Sequence, residues 1–350
     1  MALRAHHLIA ISLVSSAACT SRPPPPDWPV SSPAELCQNP ELDEDDFCMP
    51  VERLEAWLEA PQLKITRSAL SATGLTAPRK IRIETAEGLS FNAKFKPVPG
   101  DLDTFNNSPR REIAAYRLQH HFLEPDQFVV PPTVLRCLPI ADNAAVIEDL
   151  EAFDESDCAL GVVAFWVEDI SSDDVVDETD WVADPAYRDA LGRLNTFTIL
   201  IGHQDDIGEN FYRTLDDDRP RLLSIDNGLS MGAMGANPIQ LFSSSWSSAK
   251  VPSVPSDVVA RLESLDAKAL DDLMAVAQVE RVGRSWARVE PGPPMTPVTE
   301  GVRRTDDVIQ LGLTADEVTD IHKRLAHLLG EVRKRDLETH STRRPLATED

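Results

Sequence analysis

Apolar residues recur at helical spacing in several stretches of the chain. In VERLEAWLEA (51–60) and in RREIAAYRLQHHF, which follows Pro109, they fall on one helical face. The same spacing occurs in PAYRDALGRLNTFTILIG (185–202) and over residues 256–279 and 314–335. The pattern therefore predicts a helix over each of these segments, and it makes the second half of the chain mostly helical.

Other segments alternate apolar and polar residues, which is typical of β-strands. KIRIET (80–85) and LSFNAKF (89–95) flank a short turn and predict a β-hairpin. VVPPTVLRCL (129–138) and AAVIEDL (144–150) predict further strands, and the continuous apolar run GVVAFWV (161–167) predicts a buried one. Together with the helix after Pro109, these strands indicate a small α+β unit.

The N-terminus has the pattern of an export signal. Arg4 precedes the apolar stretch LIAISLV (8–14), and small residues lead to Cys19. The stretch is too short to span a bilayer, and Ser-Ala-Ala-Cys resembles a bacterial lipobox, in which the cysteine is lipidated. We therefore expect residues 1–19 to be a signal peptide and the proline-rich, acidic residues 20–50 to be a tether. The alternative is a cytoplasmic protein whose apolar start is accidental.

The remaining cysteines, Cys37, Cys48, Cys137 and Cys158, are even in number. In an oxidising compartment the simplest connectivity joins sequence neighbours, Cys37 with Cys48 and Cys137 with Cys158. Buried free thiols are the alternative. A chain anchored at Cys19 would be exported to the bacterial periplasm or to the outer membrane or cell surface, and the lipid would be its only contact with the membrane.

The charge of the chain limits its partners. The net charge is −24, and acidic runs occupy residues 41–46 and 168–180. Such a surface repels the phosphates of nucleic acids and of anionic lipids, so we expect no nucleic acid partner. A bound nucleotide would need divalent metal together with local lysine or arginine. A hydrophobic fraction of 42% is ordinary for a globular protein.

One constellation of polar residues indicates phosphoryl transfer. His203, Asp205 and Asn210 occur in HQDDIGEN, and Asp226 follows in SIDNG. A kinase uses one Asp to orient the attacking hydroxyl and accept its proton, an Asn to hold metal, and a second Asp to connect metal to the phosphates. Asp205, Asn210 and Asp226 match these roles by type and order, whereas His203 would support the loop.

Two upstream residues extend this constellation. Lys96, at the end of a predicted strand, could reach the phosphates of a nucleotide, and Glu112, on the following helix, could pair with it. Lys94 lies on the same strand face and is the alternative lysine. The D-x-x-x-x-N match is weak by itself in a chain with 58 acidic residues, so the order of all these parts carries the interpretation.

The segments around these residues resemble known families. FNAKFKP (91–97), RREIAAYRL (110–118) and VPPTV (130–134) are similar to the small lobe of the Golgi casein kinase and Four-jointed family of secretory-pathway kinases, in the same order. GVVAFWVED (161–169) and SIDNGLSM (224–231) resemble instead the hinge and the metal-binding segment of type II phosphatidylinositol 4-kinases.

The resemblance implies a role for each site residue and two cofactors, ATP and Mg²⁺ or Mn²⁺. Val167 and Glu168 would bind adenine through their backbone groups. Lys96 would be the phosphate-binding lysine, and Glu112 would be its helix partner. Asp205 would be the catalytic aspartate, and Asn210 and Asp226 would be the metal ligands.

The resemblance also implies the fold class, an α+β, two-lobed protein-kinase-like fold. The resemblance itself covers roughly residues 78–235. From the predicted elements, the small lobe (51–167) would hold an antiparallel sheet and one helix, the larger lobe (168–336) would be mostly helical, and the polar residues 337–350 would form a disordered tail. The expected substrate is a hydroxyl, with a protein Ser/Thr first and a sugar of a glycan next. A phosphoinositide fits less well because the chain is acidic and has no basic patch.

Two departures from kinase patterns leave other functions open. The turn Ala86-Glu87-Gly88 is not a G-x-G-x-x-G phosphate loop, and no A-P-E segment follows Asp226. One alternative is a catalytically inactive kinase-fold lipoprotein that acts as a binding or scaffold module. The other is an unrelated acidic lipoprotein that binds divalent cations and carries these motifs by chance.

Overall fold

The computed structural model describes residues 35–38, 47–71, 78–104, 108–168, 170–173, 175–203, 210–214, 221–232, 253–266, 268–334 and 338–340. These residues form α-helices and mostly antiparallel β-sheets. In the part of the chain so described, no helix is both long enough and apolar enough to cross a membrane.

The described elements of the first half build a five-stranded sheet and a two-stranded hairpin, with flanking helices. The helices are α1 (Val51–Glu59), α2 (Pro109–Gln119) and α3 (Ile140–Asn143). The strands are β1 (Glu35–Gln38), β2 (Phe47–Pro50), β3 (Lys64–Leu70), β4 (Arg79–Glu84), β5 (Ser90–Pro97), β6 (Thr133–Pro139) and β7 (Cys158–Phe165). A five-stranded antiparallel sheet has the order β3-β4-β5-β7-β6, which confirms the predicted hairpin and the predicted strands β6 and β7; β3 was not predicted.

Strand β5 separates a packed face of the sheet from a polar one. Phe91, Ala93 and Phe95 are fully buried, and Phe91 stacks on Trp57 of α1 with ring centroids 5.9 Å apart. Phe95 lies so close to Gly161 of β7 that a Cβ there would come within 2.1 Å of its ring. Because side chains alternate along a strand, Lys96 faces the opposite side, where α2 provides its partner.

Residues 144–150 do not form the strand that AAVIEDL predicts. The chain passes from α3 into consecutive turns, and Asp149 has left-handed backbone with φ 55°. Ile147 is buried, and Val146 packs partly against the core. Apolar side chains in a turn can thus be buried without any strand, which is why short apolar runs are ambiguous in sequence.

Within the described residues, the second half contains four α-helices and nine short strands. The helices are α4 (Glu178–Ala183), α5 (Pro185–Ile201), α6 (Ser256–Ser264) and α7 (Ala315–Lys334). The strands are β8 (Ile170–Ser171), β9 (Phe211–Thr214), β10 (Leu222–Ser224), β11 (Ser253–Pro255), β12 (Ala277–Val282), β13 (Ser285–Val289), β14 (Val302–Arg304), β15 (Val308–Leu311) and β16 (Glu338–His340). Strands β9 and β10 pair antiparallel, and their connection lies outside the described residues.

One region of the second half differs from the prediction. The helix expected over 256–279 ends at Ser264, and β12 begins at Ala277. Strands β12 to β15 form a four-stranded sheet in the order β13-β12-β15-β14. Gly283, with φ 62°, makes the turn between β12 and β13. The prediction extended the periodicity of α6 through a polar stretch into a segment that alternates as a hairpin.

The predicted tether and tail both contain ordered strands. Within residues 20–50, β1 pairs with β2, and the Cys37–Cys48 disulfide joins them. A second disulfide joins Cys137 of β6 to Cys158 of β7, so both pairs connect sequence neighbours. Within residues 337–350, β16 pairs in parallel with β11.

Candidate active site

Lys96 lies near the end of β5 and is the centre of the candidate site. Its side chain is only 3% exposed, and its Nζ donates to Glu112 Oε1 at 3.1 Å and to Asp226 Oδ1 at 2.7 Å. A buried ammonium group needs such partners because an unpaired buried charge is costly. Three residues predicted from separate parts of the sequence therefore converge.

Glu112 connects Lys96 to the backbone beside Asp226. It lies in the first turn of α2, a helix that begins with Pro109. While Oε1 accepts from Lys96, Oε2 accepts from the backbone N–H of Asn227 at 2.8 Å. A Cβ on Gly228 would lie 3.4 Å from Glu112 Oε1, so the glycine allows close contact between α2 and this backbone.

Asp226 stands in a turn that its neighbours hold closed. Its backbone is left-handed, with φ 55° and ψ 50°. Ser224 Oγ donates to Asn227 Oδ1 at 2.7 Å, and Ser230 Oγ donates to the Asn227 carbonyl at 2.6 Å. The left-handed conformation is unfavourable for most residues, so these bonds, together with Glu112, fix the direction of the Asp226 carboxylate.

The charges of the site stabilise one another. Burial alone would raise the pKa of Asp226, but the ammonium groups of Lys94 and Lys96 outweigh it and lower that pKa. Burial opposes the charge of Lys96, yet Glu112 and Asp226 raise its pKa. For Glu112, burial raises the pKa and Lys96 acts against this. Lys96 and Asp226 are therefore charged at neutral pH.

The predicted catalytic loop is described only at its ends. Residues 204–209, which include Asp205, lie outside the described residues. At one end the Asn210 carbonyl accepts from the Ile225 N–H at 2.9 Å, which brings Asn210 beside the Asp226 segment. At the other end His203 is 1% exposed, and burial lowers its pKa to about 4. His203 is therefore neutral at neutral pH.

The predicted hinge residues follow β7. The Val167 side chain is buried. The Glu168 carboxylate accepts from Asn92 Nδ2 at 3.2 Å and forms an ion pair with Lys80, whose ammonium lies 5.1 Å from the Trp166 ring centroid. Glu168 thus has side-chain contacts that the prediction, which used only its backbone, did not include.

Gln38 contacts the hinge region from the disulfide-linked hairpin. Its amide nitrogen donates to the carbonyls of Asn92, at 3.2 Å, and Trp166, at 3.1 Å. Its amide oxygen accepts from the Asn92 N–H. No sequence signal marked Gln38, because it lies in the segment that we predicted to be a tether.

A second ion-pair cluster, which we call the anchor, holds the start of α2. It consists of Arg110 and Arg111 of α2 and Glu317 of α7. Glu317 Oε2 accepts from Arg110 Nη1 at 2.5 Å, and Oε1 accepts from Arg111 Nη2 at 2.8 Å. Glu317 also accepts from the Thr314 N–H at 2.8 Å. The sequence Thr-x-x-Glu marks a helix start, but nothing in it indicates the two arginines.

The oxygen donors of the site suit Mg²⁺ or Mn²⁺. The Asp226 side chain is 38% exposed, whereas that of Glu112 is 10% exposed, so the aspartate is the more accessible carboxylate. Hard divalent cations take carboxylate and amide oxygens and complete their shells with water and phosphate. Within the described ranges, no group of three or more His, Cys, Asp or Glu side chains could hold a metal. Asp226 and Asn210 carry oxygen donors of this kind, and the exposed fraction of Asp226 leaves its carboxylate accessible to a cation.

The sheet, α2 and the second half of the chain together form an α+β protein-kinase-like fold. The solved structure of hydra Fam20 with sugar is similar over 87% of this chain and 95% of that chain, with a TM-score of 0.53 and 14% identity. The Golgi casein kinase with Mn and ADP bound is similar over 81% of this chain and 76% of that chain, with a TM-score of 0.49 and 14% identity.

At the level of sequence, no protein-family model matches the chain, and no curated protein matches it. The similarity of structure nevertheless confirms the predicted protein-kinase-like fold, and it is a similarity of fold alone.

Proposed function

We propose that the protein is an atypical kinase that transfers a phosphoryl group from ATP to a hydroxyl. The observation that supports this most directly is the position of the Lys96 ammonium between Glu112 and Asp226. Phosphoryl transfer needs groups that position the phosphates and neutralise charge, and it needs little covalent chemistry from the protein. A buried lysine held by two carboxylates is such a group.

Each residue has a defined task in this proposal. Lys96 binds the phosphates, and Glu112 holds its ammonium in place. Asp226 and Asn210 hold Mg²⁺ or Mn²⁺, which neutralises phosphate charge when bound. Asp205 orients the acceptor hydroxyl and accepts its proton. Val167 and Glu168 receive the adenine through backbone groups.

The acceptor that we propose first is a Ser or Thr hydroxyl of a protein, and the second is a sugar hydroxyl. The similar hydra Fam20 structure contains sugar, which favours the sugar as the alternative. We further propose that the protein is exported and lipidated at Cys19. The two disulfides support export, because such bonds persist in oxidising compartments.

Transfer and binding must be measured together to test this function. Purified full-length protein would be mixed with labelled ATP and Mn²⁺ or Mg²⁺, with Ser/Thr peptides in one set and simple sugars in another, beside Asp226→Asn. We expect metal-dependent transfer to one set, and none by the variant. Metal-dependent nucleotide binding without transfer would favour the inactive scaffold. Absence of both would refute the kinase proposal.

A further inference from the structure

Lys94 shares the polar face of β5 with Lys96. It lies two residues earlier on the same strand, and side chains two apart point the same way. The register places Lys94 opposite Lys80 of β4 and opposite Ala164 of β7. Directly paired residues share one face of a sheet, so three lysines, Lys80, Lys94 and Lys96, line the side of the sheet on which Asp226 lies.

These lysines differ in their partners. Lys80 forms an ion pair with Glu168, and Lys96 forms ion pairs with Glu112 and Asp226. Within the described ranges, Lys94 has no hydrogen bond or ion pair, although it is half-buried. Its charge still acts on the carboxyl groups of both Asp226 and Glu112. The ammonium of Lys94 is therefore near the site and available to an anionic ligand.

The turn of the β4–β5 hairpin lacks the sequence with which kinases cover the phosphates of ATP, so a nearby cation would contribute to phosphate binding. A kinase glycine-rich loop covers the phosphates of ATP, whereas the turn here is Ala86-Glu87-Gly88 with Gly88 at φ 82°. Its acidic residue adds negative charge next to the strands that must approach a triphosphate. In a chain of net charge −24, the phosphates depend on local lysines for neutralisation.

We propose that Lys94 is a second phosphate-binding lysine that contacts the phosphate chain of ATP from the sheet. The proposal rests on the kinase function and adds to it a residue that determines affinity for phosphorylated nucleotides. Lys96 is committed to two carboxylates, whereas Lys94 brings a charge without a partner of its own. The ligand class that it recognises is a nucleoside triphosphate, not a nucleoside.

The test compares ATP with adenosine, because only ATP carries phosphates. Equilibrium binding of each ligand to the full-length protein with Mn²⁺ would be measured for the wild type, Lys94→Ala, Lys94→Arg and Lys64→Ala. We expect Lys94→Ala to bind ATP about 10-fold more weakly, the size of one lost charged contact, and adenosine unchanged. Lys94→Arg should recover most of the loss. Lys64 pairs with Glu84 at an exposed position and serves as the matched control.

The possible results separate this proposal from the kinase function. If the wild type binds neither ligand, the kinase function fails and this proposal fails with it. If the wild type binds ATP but Lys94→Ala binds it equally well, Lys94 has no phosphate contact. Equal losses for ATP and adenosine would also overturn the proposal, since Lys94 would then shape the pocket. The thermal midpoint of each variant would be measured as well, because the Lys94 charge also stabilises the Asp226 carboxylate; a lower midpoint alone would weaken the binding of both ligands, not of ATP selectively.

Discussion

Helix α2 takes part in two ion-pair clusters that differ in how far their carboxylates are exposed to solvent. In the anchor, Glu317 is 11% exposed, and both of its oxygens accept hydrogen bonds from α2 arginines. In the candidate site, Asp226 is 38% exposed, and Lys94 adds a cation. Both oxygens of the anchor carboxylate have partners within the protein, whereas the site offers a ligand a partly exposed carboxylate and an additional ammonium group. One turn of one helix therefore carries a structural cluster next to a functional one.

The anchor explains how Glu112 can have a fixed position. In kinases the corresponding helix must be in place for the lysine–glutamate pair to form. Here Arg110 and Arg111, directly before Glu112, are held by Glu317, and Asp103 accepts from Arg110 Nε at 2.7 Å. The anchor thus holds the turn of α2 from which Glu112 contacts Lys96.

The largest expected effect is on the site. Asp226→Asn removes the carboxylate that Lys96 holds and keeps its size. We expect transfer from labelled ATP with Mn²⁺ to fall about 1,000-fold, as for other groups that stabilise developing charge. The urea midpoint should fall as well, because the buried Lys96 ammonium keeps only Glu112 as a charged partner. Asp142→Asn, at an exposed position of α3, is the control, and an active Asp226→Asn enzyme would rule out the assigned role.

Disruption of the anchor should lower the free energy of unfolding. Glu317→Ala removes one of the two carboxylate partners of the Arg110 guanidinium, which is 7% exposed, and leaves it only Asp103. Loss of one partner of a buried ion pair costs about 3 kcal/mol of unfolding free energy or more. Urea unfolding would measure it. Glu331→Ala, in an exposed ion pair with Lys334 on the same helix, should cost less than about 0.5 kcal/mol. Equal costs would show that the anchor is ordinary surface.

His203 and the anchor should lose their contributions to the free energy of unfolding at different pH values. Burial lowers the pKa of His203 from 6.5 to about 4, so between these values the unfolded chain binds a proton that the folded chain does not. Stability is then lost as the pH falls, by about 2 kcal/mol between pH 6.5 and about pH 4.5. Burial raises the pKa of Glu317, but Arg110 outweighs it and lowers the pKa, so the anchor loses its contribution only at lower pH.

Urea unfolding across this pH range would measure the slope. His203→Asn should remove it. His327→Asn, at an exposed position of α7, should retain it. A slope that survives in His203→Asn would mean that another group titrates on unfolding.

The sequence predicted the parts of the site that have fixed chemical identity. Lys96, Glu112 and Asp226 could be found because their order along strands and helices is constrained by phosphoryl transfer. Glu317 and Gln38 could not, because their partners are backbone groups or arginines far away in the chain. Such contacts depend on how elements pack and leave no local pattern.

The sequence likewise predicted some elements of the fold and missed others. The β4–β5 hairpin and helices α2, α5 and α7 follow from strong periodicity. The sheet of β12 to β15 did not, because the helical spacing of α6 was extended across a polar stretch into strands. The hairpin of β1 and β2 was concealed by acidic and proline-rich composition, although its disulfide pairing was expected.

The smallest expected effect concerns Gln38, and a matched glutamine isolates it. Gln38 makes three backbone contacts at the hinge. Gln119 makes three with Val129 and Val130. Either glutamine changed to alanine leaves buried backbone groups unpaired, so each should lose about 2 kcal/mol in unfolding free energy. Only Gln38→Ala should also weaken ATP binding, by about three-fold, because the Trp166 carbonyl directly before the hinge loses its support. Equal ATP affinities in the two variants would show that the hairpin of β1 and β2 stabilises the fold without positioning the hinge.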